Sequence, residues 1–442
     1  MSTTTLPALR ESITAGERMY RQLEELYPIC RSITGEGLRE TLRRVQSCIP
    51  LVLHEVPTGT SAFDWTIPQE WNIRDAWVKN AQGEKVIDFQ QSSLHLLNYS
   101  VPVRRRMTLA ELRPHLHSLP QHPDWIPYRT SYYQENWGFC LTHRQLESLP
   151  EGEYEVCIDS TLTAGSMTYG ECYLPGRRRE EVLFSCHACH PSLANDNLSG
   201  VVLMTALAEE LAACDNEYSY RFLFLPGTIG SITWLSRNED RAAQIRHGLV
   251  VACVGDEGKF HYKRSRRENA AIDIAAEHIL RHSGQSYEVC DFSPYGYDER
   301  QYCSPGFNLP VGSLTRTPHG RYPQYHTSAD NLDFVSPMGL GGSLEMYLAI
   351  VDVLEHDQCY VNLQPKCEPQ LGRRGLYQAL GGFPDAGQLQ LAMLWVLNYS
   401  DGTQSLLEIA ERAKLEFSLV RRAADALLSA ELLATSSAPK QR

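Results

Sequence analysis

The sequence predicts an α/β fold in which a mostly parallel sheet carries helices on both faces, with a β-rich inserted domain and a C-terminal winged-helix domain. Three observations support this prediction. Strand-like apolar runs alternate with helical patterns over residues 155–364, which is typical of parallel strands joined by helices. Short aromatic and β-branched runs fill residues 51–154, as in a β-rich module. Three short helical patterns and one strand-like run close the chain.

The length and charge of the chain limit its class. At 442 residues it exceeds the size of a single hydrophobic core, so several domains are expected. We divide it into residues 1–50, 51–154, 155–364 and 365–442. The formal net charge of -12 argues against nucleic acid or an anionic membrane as the main partner.

The cysteines and the apolar runs predict a cytoplasmic protein. Thirteen cysteines, an odd number scattered singly, are typical of reduced thiols. Residues 1–16 have no apolar core after a basic start, so they do not resemble a signal peptide. No apolar run approaches the roughly 20 residues that span a bilayer.

The N-terminal region, residues 1–50, predicts two helices. Apolar residues recur at Met19, Leu23 and Leu26, and a break at Pro28–Gly35 precedes the second helical pattern. Two short helices bury little surface alone, so we expect them to pack onto the α/β core.

Residues 51–154 have a different texture. Runs such as Phe63–Ile67 and Val86–Phe89 are separated by turn residues, and Asn80–Gly83 predicts a hairpin turn. The aromatic cluster Tyr132–Trp137 either lines a binding surface or belongs to the core of this module.

The α/β region follows. The predicted strands are Tyr154–Ile158, Glu181–Ser185, Tyr220–Leu225, Gly248–Val254 and Leu309–Leu314, and the predicted helices begin near Val201, Ser231, Ala270 and Met338.

The C-terminal region begins with a Pro/Gly-rich connector, Pro365–Gly382. The predicted helices that follow are Gln388–Leu397, Leu406–Ala413 and Ser418–Ala430, with a strand at Glu431–Thr435. Three helices and a strand suggest a winged helix. Residues 388–442 carry six acidic and six basic side chains, so the module lacks the positive charge of a DNA-binding surface. Docking of a protein partner or dimerisation is the better hypothesis.

The stretch Cys186–Gly200 organises the chain. It lies after a buried strand, where open α/β sheets place their ligands, and it holds imidazoles, thiols and a carboxylate. Imidazole and carboxylate are suitable zinc ligands. Cys186 and Cys189 are alternative ligands, although no second C-x-x-C follows. The competing interpretation is a turn whose histidines cap the next helix.

Further polar groups follow other strands and loops of the same region. Two histidines and several carboxylates at one sheet edge favour a metal site over a structural role. The candidates are His190, Asp196, Asp256, Glu257, Asp298, Glu299 and His326.

The whole chain resembles a bacterial aminopeptidase-like family. Its members have a core related to zinc aminopeptidases and glutaminyl cyclases, an inserted domain of unknown function and a C-terminal winged helix. The motifs that carry the resemblance are Pro28–Gly35, Cys189–Ser192 with Asn195–Gly200, Tyr262–Arg266, Tyr297–Gly306 and Tyr325–Asp330.

The resemblance implies roles for individual residues. Asp196 stands where the zinc aminopeptidases have the aspartate that bridges two zinc ions, and His190, Asp256 and His326 are similar to other ligands. The peptidases also carry paired glutamates after the next strand, one a ligand and one the general base. This chain has Gly227 and Thr228 in that region.

The missing pair leaves several points open. One zinc ion is as well supported as two, and a different carboxylate must move the proton. Glu299 is the first choice and Glu257 the second. The alternative for either is an ordinary ion pair with Arg300 or Lys259, and for Glu299 the two interpretations are equally supported. Arg264 and Arg266 are placed to bind a substrate carboxylate or to form a solvated basic hairpin.

Two functions follow from these patterns. The first is a zinc-dependent hydrolase of an amide bond in a small amino-acylated or peptide-like substrate, with a cyclase reaction as its relative. The second is a non-catalytic, metal-stabilised binding or scaffold protein, supported by the missing glutamates and the neutral winged helix. The resemblance places such proteins among genes for polysaccharide or secondary-metabolite assembly, and a homo-oligomer is compatible with both.

Overall fold

The computed structural model describes residues 6–376 and 386–436. This part of the chain forms two compact units. The larger contains residues 6–270 and 286–345, and the smaller contains residues 271–285, 346–376 and 386–436. The last part of the predicted connector, residues 377–382, lies outside the described residues. The predicted domain boundaries remain a proposal.

The α-helices of the described residues are numbered in chain order. They are α1 Leu6–Leu26, α2 Glu36–Gln46, α3 Leu109–Leu112, α4 His143–Ser148, α5 Ser199–Ala212, α6 Ile229–Arg237, α7 Glu239–Ala242, α8 Ala271–His282, α9 Glu299–Tyr302, α10 Pro337–His356, α11 Ala386–Tyr399, α12 Leu406–Ala413 and α13 Phe417–Ser429.

The strands are numbered in the same way. They are β1 Val52–Pro57, β2 Ser61–Ala62, β3 Trp65–Thr66, β4 Glu70–Lys79, β5 Lys85–Asp88, β6 Val103–Thr108, β7 Leu116–His117, β8 Phe139–Cys140, β9 Glu153–Thr163, β10 Ser166–Leu174, β11 Glu181–His187, β12 Ser219–Leu225, β13 Ile245–Val251, β14 Phe260–Lys263, β15 Tyr287–Cys290, β16 Val311–Thr315, β17 Cys359–Asn362, β18 Asp401–Ser405 and β19 Leu433–Thr435.

An eight-stranded sheet forms the centre of the larger unit, in the order β1-β10-β12-β11-β13-β16-β14-β15. Its central strands β12, β11, β13 and β16 run parallel, whereas β1 and β10 are antiparallel at one edge. Every residue of β11 and β12 is buried, as expected for strands covered on both faces. The predicted α/β fold is confirmed, and the carboxyl ends of the parallel strands meet at one edge.

Helices cover this sheet. Helix α5 packs against β10, β11 and β12, α1 packs against α5, and α2 packs against β10. The predicted apolar faces of the first two helices are buried, with Leu23, Leu26, Leu38 and Leu42 at 0% exposure. The N-terminal helices therefore belong to the core of the larger unit, as the sequence predicted.

A four-stranded antiparallel sheet in the order β5-β4-β9-β6 accompanies the large sheet. Residues 154–158, which were predicted as the first strand of the α/β core, lie in β9 of this smaller sheet. The first half of β9 alternates buried and partly exposed residues, the pattern of a strand with one covered face. Conversely β1, which was predicted as part of the insert, pairs with β10 in the large sheet.

The smaller unit contains a three-stranded sheet in the order β18-β17-β19 together with α11, α12 and α13. Helix α12 starts with a capping box formed by Ser405 and Glu408, a strong helix-start signal. Helix α8 belongs to the same unit: Nδ1 of His278 lies 2.6 Å from Glu411, and the Phe417 N–H donates to Nε2 of His278 over 3.0 Å. The three predicted helices and the final strand are confirmed.

Among the described helices, α10 alone is long and apolar enough to cross a membrane by length and composition. Inside the protein, 61% of its apolar window is buried. A core helix of a globular domain has the same character.

Candidate metal centre

The candidate centre lies where β11 ends. His187 is the last residue of that strand, and the segment Ala194–Leu198, which carries Asp196, leads into α5. The side chain of Asn197 joins this segment to the sheet: its amide nitrogen donates to the carbonyl oxygens of His187 at 3.2 Å and Val251 at 2.9 Å. Asp196 is thereby held at the carboxyl edge of the sheet, where its side chain is 0% exposed.

Three imidazoles surround the carboxylate of Asp196. Nε2 of His187 lies 2.8 Å from Oδ1, and Nε2 of His326 lies 3.0 Å from Oδ2. His190 offers a third nitrogen, since the ligand atoms of His187, His190 and Asp196 all lie within 4.8 Å of one another. The structure therefore brings together three of the four predicted metal ligands and adds His187.

Two buried polar atoms of this cluster have no hydrogen-bond partner. Oδ2 of Asp196 and Nε2 of His326 are buried and have no hydrogen-bond partner, although they lie 3.0 Å apart. Leaving both unsatisfied costs free energy, and a shared cation would satisfy both. Three imidazole nitrogens and one carboxylate also form a donor set that zinc favours. The residues present therefore fit a zinc ion.

The protonation of Asp196 and His190 agrees with this fit. For His187, burial alone would lower the pKa, but the charge of Asp196 outweighs it and raises that pKa. Burial alone would raise the pKa of Asp196, but the imidazoles of His190 and His187 outweigh it and hold the pKa well below its usual range. Burial lowers the pKa of His190 well below 6.5, against the attraction of Asp196. An ionised carboxylate and a neutral imidazole are the forms that bind metals.

Asp330 joins the two loops that carry these ligands. Its Oδ1 accepts the Asn195 N–H at 2.6 Å, its Oδ2 accepts the Asp196 N–H at 3.0 Å, and its carbonyl oxygen accepts the Ala194 N–H at 3.0 Å. Burial is the main cause that raises the pKa of Asp330 to about 8, and the charge of Asp196 adds to it. In the sequence Asp330 stands out only as the last residue of the motif Tyr325–Asp330, and its joining role was not predicted.

Two further residues position the histidines. The Tyr128 ring packs edge-on against the rings of His190 and His326, with both centroids 5.1 Å away. The buried Arg31 donates from Nε to the His190 carbonyl oxygen at 2.8 Å. Burial lowers the pKa of Arg31 to about 10. The motif Pro28–Gly35 signalled Arg31, but nothing local in the sequence links it to His190.

Asp298 adjoins the turn that lacks the paired glutamates. A Cβ atom placed on Gly227 would lie 2.9 Å from Cβ of His187 and 3.7 Å from Oδ2 of Asp298. Oδ1 of Asp298 accepts a hydrogen bond from Ser231 at 3.1 Å, whereas Oδ2 is buried without a partner. Burial raises the pKa of Asp298 to about 6, against the charge of His187. The turn after β12 lacks a glutamate of its own, but the carboxylate of Asp298 lies next to it in the folded chain.

The two predicted bases differ in their surroundings. Glu299 is 0% exposed, its Oε1 accepts from Lys263 Nζ at 2.7 Å, and its Oε2 has no partner. Glu257 is exposed on the surface after β13. The structure thus keeps Glu299 as a buried carboxylate with one free oxygen and gives Glu257 no enclosed site.

Asp256 lies outside the cluster, contrary to expectation. Its Oδ1 accepts hydrogen bonds from the Gly258 N–H at 2.7 Å and the Thr317 hydroxyl at 2.7 Å. Its Oδ2 accepts from Asn195 Nδ2 at 3.0 Å and from the Thr317 N–H at 3.2 Å. Both oxygens accept hydrogen bonds from neighbouring loops, so Asp256 joins these loops, and its metal-binding role stays a prediction.

The predicted substrate arginines have protein partners. Arg264 forms an ion pair with Asp291, and Nη1 of Arg266 donates to Asn308 Oδ1 at 2.9 Å. Neither arginine lines the cavity beside His326, and their role in substrate binding stays a prediction.

A cavity of about 280 Å³ opens beside His326. Tyr128, Arg129, Tyr325 and His326 contribute to its lining. His326 is partly exposed, whereas Asp196 and His187 are buried. The cavity therefore adjoins the ring of His326, one of the four residues of the cluster.

Family comparisons cover nearly the whole chain. Residues 20–357 match the model of a family described as a domain of unknown function, DUF4910. Residues 358–435 match the model of a winged helix-turn-helix domain.

One relative matches over almost its full length. It is a Clostridium acetobutylicum protein named for polysaccharide biosynthesis and an aminopeptidase-like domain, 53% identical over 425 residues, with 96% of this chain and 98% of that protein covered. A crystal structure from the same organism, named as a peptidase, has a TM-score of 0.92 at 52% identity and covers 97% of this chain and 98% of that one.

More distant structures share the fold of the larger unit. A zinc aminopeptidase from Bacillus subtilis has a TM-score of 0.56 at 11% identity, covering 76% of this chain and 94% of that one. A peptidase M28 precursor from Shewanella amazonensis has a TM-score of 0.55 at 13% identity, covering 79% and 96%. The larger unit therefore has an aminopeptidase-like fold.

Proposed function

We propose that this chain, which belongs to the DUF4910 family and carries a winged helix-turn-helix domain, is a zinc-dependent, aminopeptidase-like hydrolase. Its substrate would contain an amide bond in a small amino-acylated or peptide-like molecule. The observation that carries the proposal is the buried pair formed by Asp196 Oδ2 and His326 Nε2, which lie 3.0 Å apart without a hydrogen bond.

His187, His190, Asp196 and His326 would hold the zinc. Asp196 has an imidazole beside each of its oxygens, so the cluster would hold one zinc ion or two. Catalytic zinc sites keep a position open for substrate or water, and substrate would approach from the cavity beside His326.

Zinc bound there would supply Lewis acidity towards an amide carbonyl. The proton would be handled by the chain itself. Asp298 has a buried oxygen without a partner and adjoins Gly227 and His187, so it is our first candidate for accepting the proton of the attacking water. It would return that proton to the amine as the C–N bond breaks. Glu299 is the second candidate, since Lys263 holds its other oxygen.

The name of the Clostridium relative suggests a setting. That protein is named for polysaccharide biosynthesis, and many sugar building blocks carry amide-linked acyl groups. An amino-acylated building block of a polysaccharide is therefore compatible with an amide-cleaving site.

The experiment combines metal content with activity. Elemental analysis of purified wild type, Asp196→Asn and the exposed-site control Asp64→Asn measures zinc per chain. The same three proteins are assayed with aminoacyl 4-nitroanilides and N-acyl amino sugars. We expect one or two zinc ions per chain in wild type and control, with both zinc and hydrolysis lost in Asp196→Asn.

Two outcomes would contradict the proposal in different ways. No bound zinc and no uptake of added zinc would mean that the cluster is structural. Zinc bound stoichiometrically, with thermal stability lowered by chelation but no turnover of any amide, would favour the scaffold function, which the absence of glutamates from Phe224–Gly230 also supports.

A further inference from the structure

The cavity beside His326 is lined in part by Arg129, a positively charged residue that has no role in the proposed hydrolysis. Arg129 lines it together with Gln121, His122 and His326, and no carboxylate contributes to its lining. Arg129 is exposed, and within residues 6–376 and 386–436 its guanidinium forms no ion pair. An unpaired guanidinium beside imidazoles and an amide attracts an anion.

The backbone holds Arg129 next to the metal ligand. The Tyr128 N–H donates to the His326 carbonyl oxygen at 2.8 Å, and the Ser328 N–H donates to the Ile126 carbonyl oxygen at 2.8 Å. Pro127 forms a β-bridge with Thr327. Residues 126–128 are therefore attached directly to the loop that carries His326, and Arg129 follows at the next position.

The rest of Arg129 is also anchored. The Arg129 carbonyl oxygen accepts the Asn98 N–H at 2.9 Å. The backbone at residues 128–129 is therefore bound both to the His326 loop and to Asn98, and the Arg129 side chain is exposed to a ligand in the cavity. This differs from Arg264 and Arg266, whose side chains contact Asp291 and Asn308. Arg129, and not the predicted pair, lines the cavity beside His326.

We propose that Arg129 binds an anionic group of the substrate, a carboxylate or a phosphate, and so selects amides that carry a negative charge beyond the bond to be cleaved. The proposal rests on the proposed function for the identity of the substrate, although anion binding itself can be measured without turnover. It also gives the inserted region a role, because this region supplies the specificity residue next to a ligand of the core.

The test compares three matched small probes on the full chain, as purified and after chelation of metal. N-acetylglycine carries a carboxylate, methyl phosphate carries a phosphate, and N-acetylglycinamide is neutral. Dissociation constants are measured by calorimetry for wild type, Arg129→Gln and Arg105→Gln. Arg105 is an exposed arginine of β6 that lies outside the cavity lining, so it controls for the loss of one surface charge.

We expect wild type and Arg105→Gln to bind an anionic probe about tenfold or more tightly than the neutral one, as a charge-assisted hydrogen bond provides. The preference should disappear in Arg129→Gln and persist after chelation. Preference for one probe identifies the anion as carboxylate or phosphate. Absence of any preference, or its survival in Arg129→Gln, would overturn the proposal.

The two proposals fail separately. If zinc is absent but chelated wild type still prefers anions through Arg129, the hydrolase proposal alone fails. If neutral and anionic amides are cleaved with the same kcat/KM in wild type and Arg129→Gln, the hydrolase stands and the anion site is wrong.

Discussion

The Asp196 N–H donates to Oδ2 of Asp330 over 3.0 Å, which joins the segment that carries Asp196 to the loop that carries His326. The other oxygen of Asp330 accepts the neighbouring Asn195 N–H at 2.6 Å. The carboxyl group of Asp330 thus helps to fix the distance between Asp196 and His326. Residues that hydrogen-bond to metal-binding segments commonly have this role.

Asp330→Asn should weaken zinc binding while the fold is kept. Asparagine has the shape of aspartate, but its amide nitrogen accepts no hydrogen bond, whereas both oxygens of a carboxyl group can accept even when it is protonated, so one of the two N–H groups loses its partner. We expect the zinc Kd to rise by about 10- to 100-fold, measured by competition with a chelating dye. Asp333→Asn, an exposed change in the same loop, should match wild type. Equal affinity in both variants would contradict the role assigned to Asp330.

Asp256→Asn should separate loop joining from metal binding. The two oxygens of Asp256 accept four hydrogen bonds, two each. In asparagine an amide nitrogen replaces one oxygen and accepts none, so two of the four hydrogen bonds are lost. We expect the free energy of unfolding to fall by about 1–3 kcal/mol, measured by urea titration, while the zinc content of the folded protein stays at the wild-type value. Loss of zinc without loss of stability would restore Asp256 as a ligand.

Gly227→Ala should disturb the centre by crowding. The new Cβ would lie 2.9 Å from Cβ of His187, closer than carbon atoms pack, so either His187 or the backbone at residue 227 must shift. We expect a loss of about 1–3 kcal/mol in stability together with weaker zinc binding. At Gly306 an added Cβ meets nothing within 4 Å, which makes Gly306→Ala the matched control. If the two variants behave alike, the close packing at Gly227 is not important.

Glu70 should make the larger unit more stable above acidic pH. Arg39 donates from Nη1 and Nη2 to its two oxygens, each at 2.7 Å. These hydrogen bonds are the main cause that lowers the pKa of Glu70 from 4.5 to about 2. Because the pKa is lower in the folded state, the contribution is present above about pH 4.5 and is lost as the pH falls towards 2.

The measurement is urea unfolding of the chelated protein at pH 6 and pH 3. Between these values wild type should lose about 1–2 kcal/mol more unfolding free energy than Glu70→Gln, since one pKa unit corresponds to about 1.4 kcal/mol and partial exposure reduces the effect. The exposed variant Glu135→Gln should follow wild type. A Glu70→Gln variant that also follows wild type would exclude this carboxylate as the source.

Much of the fold was predictable from the sequence. The buried strand β12 begins one residue before the predicted Tyr220, α12 has the predicted bounds Leu406–Ala413, and α8 differs by one residue. These elements have strong apolar runs or periodicity, which report local backbone form and burial. The boundary near residue 154 was less clear, because a strand at the edge of one domain looks the same as the first strand of the next.

The sequence alone determined that His190, Asp196 and His326 belong to one chemical group, since each stands in a motif typical of an aminopeptidase-like core. It could not decide the membership of His187 and Asp256. His187 ends one strand of the large sheet and Asp256 follows another. In the folded chain, however, His187 lies 2.8 Å from Asp196, whereas Asp256 accepts hydrogen bonds from Asn195 and Thr317. That difference depends on how loops distant in sequence fold back on one another, and only the tertiary structure decides it. The same reason separates Arg129, which lines the cavity, from Arg264 and Arg266, which do not.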